Sequence, residues 1–204
     1  MLFGGLWWGT QEDGNRLLQT PGLRRRFTGS HNVGQANGNS AFPVTMWMFD
    51  RPAVIDQTRW RLQVTGAVAK PLTFAYAELA ALPQHEMQAI LDCTGGWYSA
   101  QSWQGVMVDE LLQQARLEQD ALAISFVAVT GYRWSLPLGE ARTALLALRV
   151  GGEALTHGHG APLRLVAPGR RGFQWVKWVT EIKVLTATDW RQWSVIFTSG
   201  LKLP

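Results

Sequence analysis

The sequence predicts an α+β fold, rich in short strands with a few short helices between them. Three observations carry that expectation. Several segments alternate apolar and polar residues with period two, as half-buried strands do. One segment, with Val108, Leu111, Leu112 and Ala115 at i, i+3, i+4 and i+7, carries the stripe of an amphipathic helix. No internal repeat and no linker divides the 204 residues, and with 47% hydrophobic and 17% charged residues they can build a sizeable core. The expected organisation is an N-terminal tail over residues 1–23 and a single domain over residues 24–204.

Taken in order, residues 1–50 show little periodicity, and the Asn-, Gly- and Ser-rich stretch from Gly29 to Ser40 reads as loop. Arg59 to Thr65 alternates Trp60, Leu62 and Val64 against Arg61, Gln63 and Thr65, a half-buried strand ending at Gly66. Thr73 is a candidate cap for a short helix through Leu82, stopped by Pro83. A strand then runs into Cys93, with Met87, Ala89 and Leu91 on the cysteine's own face. Beyond the helix at 108–115, Ile124 to Thr130 reads as a strand and residues 131–134 as a turn holding Arg133 between Tyr132 and Trp134. Glu140 to Leu148 begins as helix and finishes as strand, and Gly151-Gly152 signals a hairpin. Leu163 to Ala167 is a further strand, and Pro168 to Gly172 a basic turn. In a final long strand Val176, Trp178, Thr180, Ile182 and Val184 share one face, with Lys177 and Lys183 opposite.

Charge and cysteine content narrow the function classes. The net charge is +4, from 19 basic and 15 acidic residues, and the basic residues are scattered apart from Arg24–Arg26 and Arg170-Arg171. That pattern argues for local anion sites and against a nucleic-acid-binding stripe. With one cysteine the chain forms no internal disulfide and no zinc ribbon or iron–sulfur cluster. His157-x-His159 is weak evidence for a metal without further ligands. No apolar run approaches the roughly 18 residues that span a bilayer. Leu2 to Gly9 lacks the basic region of a signal peptide, and reads as a trimmed anchor or a docking tail.

The single cysteine sits in the most informative stretch, Leu91-Asp92-Cys93-Thr94-Gly95-Gly96-Trp97-Tyr98. Two glycines let the backbone turn sharply and approach a ligand, and Trp97 and Tyr98 supply flat walls with polar tips. A thiolate there is a soft metal ligand or a nucleophile; the plain alternative is a buried free thiol that merely packs. The early segment from Arg24 to His31 puts cations, hydroxyls and an imidazole on flexible backbone, as an anion site needs; the plain alternative, which an isolated arginine run favours, is a solvated basic stretch.

Three blocks taken together resemble the molybdopterin-binding domain of the sulfite oxidase family. They are LDCTGGWYSAQSWQGVMVDELL around Cys93, HGAPLRLVAPG from His159 to Gly169, and GFQWVKWVTEIKVL from Gly172 to Leu185. Their order and spacing match the family over roughly Arg24 to Leu185. The closer likeness is to a short bacterial branch that includes catalytic subunits of periplasmic protein-methionine-sulfoxide reductases. The resemblance implies a sulfite-oxidase-type fold of mixed sheets with short helices. It also implies one molybdenum-molybdopterin per chain, with Cys93 as the protein's metal ligand. Matching cofactor positions are Arg26, Gly29, Ser30, Thr130, His159, Arg164, Trp175, Val176 and Lys177. Arg164 and Lys177 suit the cofactor's phosphate, one as a bidentate fork and the other as a point charge. Tyr98 is the expected hydrogen-bond donor to a substrate oxygen.

The chain departs from sulfite oxidases and plant nitrate reductases right after the cysteine. It reads Gly96-Trp97-Tyr98 where they carry an Asn and arginines, which disfavours an inorganic anion as substrate. The expected activity is oxygen-atom transfer, as reduction of a sulfoxide-like or other small oxo compound. The alternatives are a sulfite dehydrogenase and a non-catalytic molybdopterin-binding module. Electrons would pass to or from a separate protein, with a membrane haem subunit as candidate, and Trp7, Trp8, Trp190 and Trp193 as candidate docking surface. A monomer is expected, in an extracytoplasmic setting by family resemblance.

Overall fold

The computed structural model describes residues 17–20, 23–34, 36–46 and 50–200. Two mixed sheets carry the fold, among the described residues. In the first, strands β1 (Leu17–Thr20), β2 (Leu23–Arg26), β3 (His31–Asn32) and β7 (Trp97–Met107) are followed by β10 (Leu145–Val150) and β11 (Glu153–Ala154). Strand β6 (His85–Cys93) also pairs with β7, and β12 (Arg164–Val166) with β10. In the second, the order is β5 (Leu72–Ala75), β4 (Arg61–Gly66), β13 (Val179–Leu185), β8 (Ala123–Ala128) and β9 (Arg133–Pro137). Only β3/β7 and β4/β13 pair in parallel; the other pairings are antiparallel. Strand β1, within the segment assigned to the tail, pairs with β2.

Helix α2 (Val108–Ala115) packs against β4 of one sheet and β7 of the other, burying Val108, Leu111, Leu112 and Ala115 as their spacing predicts. Burying a side chain such as Leu111 stabilises by about 1.5–3 kcal/mol. The inward residues of the second sheet, Leu62, Val64, Ile124, Phe126, Ile182 and Val184, are almost wholly buried. Three short helices complete the set: α1 (Tyr76–Ala81), α3 (Leu138–Arg142) and α4 (Gln192–Thr198).

Four segments differ from expectation. Thr73 caps nothing: residues 72–75 pair with β4, and the helix starts at Tyr76, where the Glu78 carboxylate accepts the Ala75 N–H at 2.6 Å. Sheet pairing here overrides the local cap preference. Arg133 and Trp134 belong to β9 and not to a turn, because they pair with Val127 and Phe126. The eleven-residue strand β7, to which the sequence reading gave no element, is flanked on both edges; it is buried on both faces only at its start and then alternates buried and more exposed positions from Ser99 to Gly105. The final strand begins only at Val179, because Trp178 sits in the left-handed region at φ 53° and breaks the alternation before it.

Candidate cofactor site

The β6–β7 hairpin positions the cysteine. Cys93 pairs with Trp97 and Asp92 with Tyr98, so successive residues face opposite sides of the sheet. Leu91, Cys93 and Trp97 share one face and line a cavity of about 270 Å³. The turn between the strands is closed by the Gly96 N–H donating to the Cys93 carbonyl at 3.1 Å, with Gly96 at φ +85°, where a side chain would be strained. The Gly95 N–H lies 3.3 Å from Cys93 Sγ. Gly172, which opens the third sequence block, packs so close behind that an added Cβ would lie 3.2 Å from the Cys93 Cα.

The second and third blocks bring the cations. Arg164, on β12, is buried; its Nη1 donates to the His159 carbonyl at 2.8 Å and its guanidinium faces the Trp103 and Trp175 rings at 5.4 and 6.0 Å. Burial pulls its pKa down to about 10, with the Cys93 thiolate acting in the opposite direction, so it stays charged at neutral pH. Its Nε is buried without a hydrogen-bond partner among the described residues. Lys177 donates to the Thr45 and Gly158 carbonyls at 2.8 Å each. Burial, reinforced by Arg164, pulls it down to about 7, opposed by Asp50 and Cys93. Expected on the outer face of a strand, Lys177 lines the cavity instead, because the strand starts after Trp178.

His159 lines the cavity but is already committed. Its Nε2 lies 3.2 Å from the Phe42 carbonyl and its Nδ1 2.9 Å from the Thr156 hydroxyl. These partners fix the tautomer, with Nε2–H donating to the carbonyl and Nδ1 accepting from the hydroxyl. Burial and the neighbouring Arg164 lower its pKa to about 4, so it is neutral. His157 likewise spends Nε2 on the Pro52 carbonyl at 3.0 Å. The His-x-His pair is therefore structural, and the described residues hold no cluster of three or more His, Cys, Asp or Glu that suits a metal.

Five of the expected residues thus line one cavity: Cys93, His159, Arg164, Trp175 and Lys177. The others lie elsewhere. Arg26, Ser30 and Tyr98 sit on the opposite face of the hairpin. Arg26 Nε lies 2.9 Å from Asp92 Oδ2, an ion pair without hydrogen-bond alignment, and its guanidinium is 5.6 Å from the Tyr98 ring centroid. The Ser30 and Thr28 hydroxyls donate to the two Asp92 oxygens at 2.7 and 2.8 Å. Gly29, at φ +82°, shapes the turn that brings them there. Tyr98 as a donor to substrate is a correction, since strand alternation turns it away from Cys93. Val176 is buried, and its carbonyl accepts the Leu165 N–H at 2.8 Å. Thr130 does not line the cavity; it neighbours Asp50, whose charged form its hydroxyl favours. The sequence reading missed Phe42, Pro43, Thr45, Met46 and Asp50, which close one side of the cavity. No periodic pattern marks them. Tyr132 and Phe173 complete the aromatic wall.

A soft sulfur donor, one buried and one half-buried cation and an unpartnered guanidinium nitrogen fit an anionic cofactor with a hydrogen-bonding edge. Cys93 is the only thiol lining this cavity, so a soft metal beside it would draw further sulfur ligands from the cofactor. Fold and site together define a redox-cofactor-binding α+β domain built around one thiolate.

The family model described as the oxidoreductase molybdopterin binding domain matches residues 48–193, and the chain belongs to that family, the sulfite oxidase family of molybdopterin-dependent oxidoreductases. It is 34% identical over 150 residues to the uncharacterized oxidoreductase YuiH of Bacillus subtilis (strain 168), across 72% of this chain and 75% of that one. It is 32% identical over 158 residues to the protein-methionine-sulfoxide reductase catalytic subunit MsrP of Gluconobacter oxydans (strain 621H), covering 66% of this chain and 51% of the relative. Mitochondrial sulfite oxidase of Rattus norvegicus is 28% identical over 171 residues, 68% of this chain and 31% of that protein. The sulfane dehydrogenase SoxCD from Paracoccus pantotrophus superposes with a TM-score of 0.64 at 26% identity, over 66% of this chain and 40% of that one. The matched region thus spans three-quarters of the first relative and about half or less of the others. The cofactor is molybdenum-molybdopterin.

Proposed function

We propose that this chain reduces a neutral or weakly charged organic oxo compound, with a sulfoxide as the best-fitting class, by oxygen-atom transfer. The observation that carries this reading is the wall around Cys93. It is largely apolar and aromatic, with Phe42, Met46, Leu91, Trp97, Tyr132 and Phe173. An inorganic dianion needs clustered cations at the metal, because burying it unpaired is very costly. The arginines that might have gathered there are engaged elsewhere. Arg133 Nε pairs with Asp189 at 2.7 Å, Arg170 with Glu140 at 2.5 Å, and Arg25 with the Gly29 carbonyl at 2.7 Å.

In this reading Cys93 is the protein's molybdenum ligand, and Arg164 and Lys177 hold the cofactor phosphate. The bound cofactor supplies two-electron chemistry and an exchangeable oxo group. Trp175 gives a flat wall, and His159 braces the loop that carries Phe42. With Arg164 and Lys177 taken up by phosphate, the aromatic side of the cavity is left for a substrate with an apolar body. Electrons come from a separate redox protein. An extracytoplasmic setting belongs to the same proposal; among the described residues no helix is long and apolar enough to cross a membrane. The test is steady-state kinetics of the holoenzyme with artificial electron carriers, comparing sulfoxide and amine-oxide reduction with sulfite oxidation. Efficient reduction of organic sulfoxides is the expected result. Sulfite oxidation as the dominant activity would overturn the reading and favour a sulfite dehydrogenase; no turnover by fully loaded protein would favour a binding module.

A further inference from the structure

Removing oxygen from a sulfoxide breaks the S–O bond and reduces sulfur by two electrons, and the oxygen takes up two protons to leave as water. The electrons arrive from an external one-electron carrier such as a haem protein or a reduced viologen. The protons must enter a cavity whose wall is mostly apolar. Six lining residues have ionisable side chains: Asp50, Cys93, Tyr132, His159, Arg164 and Lys177.

Five of them are unsuited to the task. Cys93 is the metal ligand in the reading above. The Tyr132 hydroxyl donates to the Phe173 carbonyl at 2.5 Å. The one ring proton of neutral His159 is given to the Phe42 carbonyl. Arg164 is too basic to release a proton at neutral pH. Lys177 has two N–H groups on the Thr45 and Gly158 carbonyls, and a bound phosphate would hold it charged.

Asp50 differs from all five. It is 5% exposed, it lines the cavity, and its Oδ1 is buried without a hydrogen-bond partner among the described residues. The neighbouring Thr130 hydroxyl and the Lys177 cation are the groups that favour its charged form. Burial raises its pKa above the ordinary carboxylate value, while Thr130 and Lys177 oppose the shift. An anionic phosphate on Lys177 would cancel part of the opposing charge and push the carboxyl further toward its neutral form.

We propose that Asp50 is the acid of this cavity, delivering a proton to the oxygen that leaves the substrate. This rests on the reductive reading given above. In the step, the Asp50 O–H bond breaks and the proton goes to the departing oxygen. The carboxylate left behind is stabilised by the Thr130 hydroxyl and Lys177, then reprotonated from solvent for the second proton. The charged or titratable groups that share the cavity with it are Lys177, Arg164, His159, Cys93 and Tyr132. Arg51 is its chain neighbour, and His157 binds the Pro52 carbonyl.

The experiment uses molybdenum-loaded holoenzyme with an aryl methyl sulfoxide and reduced viologen. Wild-type kcat should fall as pH rises through the Asp50 pKa. Asp50→Asn should lower kcat by about 10²–10⁴-fold, with KM little changed and that pH limb gone. Asp50→Glu should restore the limb. Molybdenum and pterin content and the visible spectrum should be unaltered in both variants. Independently of turnover, infrared pH titration of the wild-type holoenzyme should show a carboxylic-acid band that persists above the ordinary carboxylate range and that Asp50→Asn removes. Wild-type sulfoxide reduction with an undiminished Asp50→Asn kcat and pH limb would overturn the role of Asp50 and leave the reductive reading standing. An infrared pH titration of the holoenzyme that finds the Asp50 carboxyl ionising no higher than an ordinary carboxylate would overturn it too, whatever Asp50→Asn does to activity. Absence of wild-type sulfoxide reduction would remove the reductive reading and this proposal with it.

Discussion

Asp92 and Cys93 are adjacent in sequence and occupy opposite worlds. On the Asp92 face both carboxylate oxygens have partners, from Arg26, Thr28, Ser30 and Arg171. On the Cys93 face, Arg164 Nε and Asp50 Oδ1 are buried without one. Arg26 Nε and Arg171 Nε on the first face also lack a hydrogen bond, but each forms an ion pair with Asp92, whereas no ion pair engages Arg164 or Asp50 among the described residues. Arg171 links the two faces: its Nη2 donates to the Cys93 carbonyl at 3.2 Å while its Nε lies 3.7 Å from Asp92 Oδ1. The polar face thereby fixes the backbone from which the thiol projects.

Separating these roles by mutation tests the contrast. On the cavity face, Cys93→Ser should abolish redox turnover in viologen-linked assays. It should leave the thermal midpoint within a few degrees of wild type, because the change in volume is small. Wild-type activity and metal spectra in that variant would end the assignment of Cys93 as ligand. On the opposite face, Asp92→Ala leaves buried Arg26 unpaired, so a loss of about 3–5 kcal/mol is expected in chemical denaturation of the apo-protein. If the loss is below about 1 kcal/mol, the Asp92 network is ornamental.

A smaller effect is expected from Arg164→Ala, which removes a charge-assisted contact worth about 1.5–3 kcal/mol of cofactor binding. That variant should purify depleted in pterin by fluorescence assay, with folding retained; full occupancy would count against the phosphate role. The smallest effect is a pH slope. His159 has its pKa lowered from 6.5 to about 4, so the unfolded chain binds the proton more readily than the folded one. The stability of the apo-protein should therefore fall as pH drops from 6.5 toward 4, and hold above 6.5. His159→Gln should flatten that slope in denaturant titrations at several pH values, and an unchanged slope would show that other groups set it.

The helix at 108–115, the strand at 61–66 and the strand into Cys93 were legible because each obeys one period over its length. Cys93, His159, Arg164 and Lys177 were legible as chemistry, through their blocks. Arg26 and Ser30 had the right chemistry but meet the neighbour of the cysteine: one step along a strand reverses the face, and the sequence does not state which step their loop will contact. The outward placing of Lys177 failed at one backbone angle, that of Trp178. Asp50 and the residues from Phe42 to Met46 reach the cavity only through long-range packing, so no local pattern announces them. Trp7 and Trp8 lie outside the described residues. Trp190 is 78% exposed, while Trp193 packs edge-on against Trp134, with ring centroids 4.8 Å apart.

The indoles of the cavity have an optical consequence. Trp97 and Trp175 are wall residues, and Trp103 meets Trp175 edge-on with ring centroids 5.6 Å apart. A coloured, electron-accepting group seated between them drains their excited states. The chain therefore carries its own gauge of filling: ultraviolet emission dims as the cofactor enters and returns when it leaves, with no label attached and no substrate turned over.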